Sequence, residues 1–135
     1  MVKGMYGFNI VVKDLKSATE RYEKVFGMKS THLSESDFAF PGLNGSLFIV
    51  GGLKIHLITS LTDDTAVAKF LANKGEGLFL ISLDVDNLEQ EMARMKEGGA
   101  IFVSEKPFTG SFGKVNFIHP KSMNGVQVEV LEQKK

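Results

Sequence analysis

The chain repeats itself, and this repeat constrains the fold more than any other feature. Phe8-Asn9-Ile10-Val11-Val12-Lys13-Asp14-Leu15 is answered by Ile81-Ser82-Leu83-Asp84-Val85-Asp86-Asn87-Leu88. Gly52-Leu53-Lys54-Ile55-His56-Leu57-Ile58 is answered by Gly125-Val126-Gln127-Val128-Glu129-Val130-Leu131. From Leu15 to Leu88 and from His56 to Glu129 the step is the same, 73 positions. A constant step at two separated segments implies two copies of one supersecondary unit and a pseudo-twofold axis between them. Equivalent positions facing each other across such an axis form a natural pocket.

In the first copy, Tyr6–Val12 is rich in β-branched and aromatic residues and predicts a strand. Asp14 is placed to cap a helix running from Leu15 to Phe26, with Ala18, Tyr22, Val25 and Phe26 at helical spacing and Gly27 as its stop. Lys29–Leu33, Asp37–Phe40, and Leu47–Val50 with Lys54–Thr59 read as strands, turned by Pro41-Gly42-Leu43-Asn44-Gly45 and Gly51-Gly52. In the second copy, Leu78–Val85 is the strand and Leu88–Lys96 the helix, whose Leu88, Met92 and Met95 make a core-facing stripe. Ile101–Val103, Lys114–His119 and Gly125–Glu132 complete it. Between the copies, Thr62-Asp63-Asp64 predicts the cap of a short connector helix ending at Gly75. The expectation is a single α+β domain over 1–135: a βαβββ module at about 5–60, a connector helix at about 62–75, and a second βαβββ module at about 78–132.

Composition narrows the partners. With 16 basic and 16 acidic residues the chain has no surplus charge to favour nucleic acid or an anionic membrane. It has no cysteine, hence no disulfide, zinc-thiolate site or thiol nucleophile. No stretch approaches the ~18 apolar residues of a membrane span, and the N-terminus lacks the apolar run of a signal peptide. The sequence reads as a soluble cytoplasmic protein. Phosphate-loop, dinucleotide and nucleophile motifs are missing.

Two βαβββ copies in this length resemble the vicinal oxygen chelate superfamily, which includes glyoxalase I, bleomycin-resistance proteins and extradiol dioxygenases. The words Val12-Lys13-Asp14-Leu15, Ala68-Lys69-Phe70-Leu71, Lys74-Gly75-Glu76-Gly77-Leu78, and Phe117-Ile118-His119-Pro120-Lys121-Ser122 followed by Gly125-Val126 are most similar to the methylmalonyl-CoA epimerase branch. The resemblance implies tandem modules forming a cupped mixed sheet with a shared central cavity. It implies a divalent ion held there by four strand positions, a catalytic glutamate near the turn before the third strand, and a homodimer. Matched to this chain, the metal slots are Gly7, His56, Leu80 and Glu129, and Gly7 and Leu80 have no donor. A catalytic ion takes three or more protein ligands. Co, Ni, Zn or Mn is therefore expected only if further groups, such as His32, His119 or Asp84, complete the site; otherwise no cofactor is expected. Pro41–Gly45, where the glutamate should lie, has no carboxylate.

Strand alternation sets the lining. Gly7, Asn9, Val11, Lys54, His56, Ile58, Leu80, Ser82, Asp84, Gln127, Glu129 and Leu131 share the slot-bearing faces. The opposite faces, including Ile10, Leu57, Leu83, Val126 and Val128, are apolar and are expected under the helices. His56 and Glu129 are the candidate acid–base pair, vestigial as metal ligands. Asn9, Lys54, Leu80, Ser82 and Gln127 are candidate ligand contacts, with Lys121 and Ser122 as a candidate anion contact, and Gly110–Gly113 reads as a lid. The leading expectation is a metal-independent binder of an apolar or thioester small molecule. The alternatives are an epimerase, isomerase or lyase acting on a CoA thioester or activated carbonyl, and a partner protein that kept only the fold.

Overall fold

The computed structural model describes all residues, 1–135. The elements in chain order are β1 (Val2–Val11), α1 (Leu15–Phe26), β2 (Thr31–Leu33), β3 (Leu43–Val50), β4 (Leu53–Ser60), α2 (Ala66–Lys74), β5 (Gly77–Val85), α3 (Leu88–Glu97), β6 (Phe108–Gly110), β7 (Gly113–Ile118) and β8 (Gln127–Gln133). This is an α+β chain with two βαβββ successions. No helix is long and apolar enough to cross a membrane. The residues group into two compact units: Phe8–Phe79, and Met1–Gly7 together with Leu80–Lys135.

In the Phe8–Phe79 unit, α1 begins where Asp14 Oδ1 accepts from the Ser17 amide (3.1 Å) and ends at Gly27, whose φ of 68° suits a residue without Cβ. Strands β2, β3 and β4 are antiparallel neighbours, with Leu47 facing His56 and Gly45 facing Ile58 across β3 and β4. One face packs on α1: Val12, Phe48 and Leu57 are buried against Ile10, Leu15, Ala18 and Tyr22. The other is partly covered by α2, where Val67, Phe70 and Leu71 close over Val11, Leu43 and Ile58 together with Phe38 and Phe79. The segment expected to be a connector therefore buries part of the slot-bearing face. Its cap is Thr65, which accepts from the Ala68 amide (3.0 Å), one position beyond the expected Thr62–Asp64.

In the second unit, Asn87 caps α3 as Asp14 caps α1, accepting from the Gln90 amide at 3.0 Å. Strands β5 and β8 run parallel, while β8–β7 and β7–β6 are antiparallel, so the pairing is mixed. Val85, Leu88, Met92, Ile118, Val128 and Val130 form the core, joined by Ile81, Leu83 and Met95. Each such side chain fully buried contributes roughly 1.5–3 kcal/mol. Glu91 is buried on α3 and meets Arg94 Nη2 (2.6 Å) and the Met1 ammonium.

Several sequence expectations are corrected. Asp37–Phe40 is not a strand: Glu35–Asp37 is a 3-10 turn closed by a capping box between Ser34 and Asp37. Leu43–Gly45 belongs to β3 and not to a turn. Ile101–Val103 makes only an isolated bridge, at Phe102, and the short strand of this copy lies later, at Phe108–Gly110. Val25 (74 % exposed) and Val126 (43 %) point to solvent. The expected lid Gly110–Gly113 is a tight hairpin in which Gly110 pairs with Gly113. A Cβ on Gly113 would strike the backbone at Glu132, and Phe112 O accepts from the Lys134 amide at 3.3 Å. Strands β2 and β6, three residues each, are the end strands of the antiparallel runs β2–β3–β4 and β8–β7–β6.

Candidate functional site

In the second unit, the parallel register sets Leu80 opposite Gln127, Ser82 opposite Glu129 and Asp84 opposite Leu131. With the alternate residues committed to the core beneath α3, these six share the other face. Leu80 is 2 % exposed and Ser82 1 %. Ser82 Oγ donates to Glu129 Oε1 at 2.5 Å, a short hydrogen bond. Burial pushes the Glu129 carboxyl above the ordinary carboxylate range, and the Ser82 hydrogen bond pulls it only partly back. Gln127 is half-buried beside this pair.

In the Phe8–Phe79 unit, His56 stands on β4 with Leu47 opposite. Burial lowers its pKa from 6.5; a backbone hydrogen bond at Phe8 opposes the shift and the nearby Lys54 charge adds to it. The imidazole is therefore neutral at neutral pH. Lys54 and Asn9 are half-buried on the strands β4 and β1. Asn9 holds, 73 positions earlier, the place in the repeat that Ser82 holds in the second copy.

The donor set does not fit a divalent ion. Gly7 and Leu80 are buried and offer no donor, and no group of three His, Cys, Asp or Glu side chains able to hold an ion occurs in the chain. His32 is exposed on β2. His119 Nδ1 accepts from the Lys121 amide at 3.0 Å, capping the 3-10 turn Pro120–Ser122. Asp84 Oδ2 lies 3.8 Å from Lys3 Nζ.

Ser122 Oγ donates to His119 O (3.0 Å) and accepts from the Ile101 amide (3.1 Å), so it pins the turn. Lys121 is exposed beside it. The connection before β3 does carry carboxylates, at Glu35 and Asp37, ahead of the turn where the sequence reading looked. Both hold the loop: Glu35 Oε2 accepts from the Gly42 amide (2.9 Å) and Asp37 Oδ2 from the Ser34 amide (2.8 Å). Sequence reasoning missed Phe38, which this loop presents to the His56-bearing face. The one available signal was Gly45 in an apolar strand, since a strand glycine marks a close approach by another group.

Fold and faces together define a protein of two βαβββ modules, each with one face packed under its helix. The chain belongs to the glyoxalase/bleomycin resistance protein/dioxygenase superfamily, whose family model matches residues 8–118. It is similar to the uncharacterized protein YqjC of Bacillus subtilis, at 32% identity over 93% of this chain and 89% of that protein. It is also similar to human mitochondrial methylmalonyl-CoA epimerase, at 34% identity over 92% of this chain and 70% of that protein. The crystal structure of methylmalonyl-CoA epimerase from Mycobacterium tuberculosis superposes with a TM-score of 0.88 at 31% identity, covering 99% of this chain and 90% of that one.

Proposed function

We propose that this protein binds a small acyl thioester, or a similar apolar molecule bearing a carbonyl, without a divalent ion. The observation that carries the reading is the Ser82–Glu129 hydrogen bond beside buried Leu80. Positions that serve as metal slots elsewhere in the superfamily here hold apolar surface and a carboxyl that favours its neutral form. A protonated carboxyl donates a hydrogen bond, and a neutral imidazole both donates and accepts. Such groups suit an uncharged carbonyl oxygen better than an anion. The similarity to methylmalonyl-CoA epimerases supports a thioester as the ligand class.

The same similarity supports a second reading, in which His56 takes a proton from the carbon next to the carbonyl and returns one to it. Thermal unfolding with propionyl-CoA, whose acyl group lacks the free carboxylate of methylmalonyl-CoA, with and without EDTA, tests the first reading. Ligand at about 100 times its Kd stabilises by about 2.7 kcal/mol, and the expected shift is the same with the chelator. A shift abolished by EDTA overturns it. Deuterium uptake at the acidic carbon of methylmalonyl-CoA in heavy water, lost in His56→Ala, would favour the second.

A further inference from the structure

We infer that Phe38 is the wall that sets the length of the apolar group admitted beside His56. This inference rests on the binding reading above and adds a specificity-determining residue to it. Along β3 and β4, the residues next to the Leu47–His56 pair on the same face are Gly45 and Ile58. A strand position with no side chain leaves a recess one step from the imidazole. The Phe38 ring fills that recess: a Cβ built on Gly45 would lie 3.2 Å from Phe38 Cζ and 3.4 Å from Ile58 Cγ2, and would strike Leu57 O. Phe38 packs against the buried cluster of Val11, Leu43, Ile58 and Val67, and Phe70, packed on the same cluster, lies edge-on to Phe79 (centroids 5.1 Å apart).

The wall is held in place. Its loop is tied at one end by the Ser34–Asp37 capping box and at the other by the Gly42 amide on Glu35. The ring therefore does not swing aside at the cost of one weak contact. An acyl chain laid along the face from His56 meets an aromatic edge after one residue step. Groups of a few carbons fit, and longer straight chains do not.

The experiment is calorimetric titration of the full chain with straight-chain acyl-CoA thioesters from acetyl to octanoyl, for the unsubstituted protein, Phe38→Ala and Phe38→Leu. The unsubstituted protein is expected to prefer the short members. Phe38→Ala should raise affinity for octanoyl-CoA about tenfold or more, as opening a hydrophobic pocket by several methylenes does, and leave acetyl-CoA nearly unchanged. Phe38→Leu should fall between. If Phe38→Ala fails to fold by circular dichroism, the Phe38→Leu profile decides. An unchanged chain-length profile in a folded variant overturns the wall while leaving the binding reading intact. Failure of every thioester to bind the unsubstituted protein overturns both.

Discussion

Two side chains on the slot-bearing faces carry opposite pH dependences. The folded-state pKa of Glu129 stands above its ordinary 4.5, so the proton it holds stabilises the fold at acid pH. That contribution is lost as pH rises through the folded value, and at neutral pH an ionising buried carboxyl costs stability. His56 titrates below its ordinary 6.5 in the fold. Its contribution is present above 6.5 and is lost as pH falls through the folded value. Glu129→Gln keeps the shape and an oxygen to accept from Ser82 but cannot ionise. It is expected to raise the urea midpoint at neutral pH, with the gain closing as pH falls toward 4.5. A gain equal at both ends of that range would contradict the account. The equivalence of His56 and Glu129 was legible in the sequence, as a step of 73 positions. Their protonation preferences were not, because they come from burial, which no local pattern states.

At the level of elements, the repeat is built into hydrogen bonds as well as residue types. Asp14 and Asn87 stand 73 positions apart and each accepts from the amide three residues on. Replacing either by alanine is expected to cost about 1 kcal/mol, measured by chemical denaturation. Unequal effects would show that one helix is held mainly by packing. The constant step finds both caps, the opening strands and the closing strands. It fails for the strands between: Leu47 faces His56 but Phe117 faces Glu129, a step of 70 between the facing residues. The loops had changed length, and an odd slip in a strand reverses its faces. The same loops hid the Glu35–Asp37 turn and the true position of β6. Short apolar runs such as Ile101–Val103 become strands only if a partner extends along them. The period of α2 announced a helix, but what it covers depends on tertiary packing.

For the molecule as a whole, charge is balanced, with a sequence pI of about 6.8. Apolar side chains also reach solvent, among them Val25, Ile49 (60 %) and Leu78 (56 %). With little mutual repulsion near that pH, native molecules associate most readily there. Light scattering is expected to peak close to neutrality and to fall on moving one to two units either way, roughly as net charge builds. Scattering that rises steadily toward alkaline pH would point instead to partial unfolding. The two terminal strands give this association its character. Each offers a row of only three residues, too short to seed the stacking of chain upon chain that a long free edge allows. Clumps formed near neutrality should therefore dissolve on dilution or a change of buffer, because neither of these short strands acts as a template.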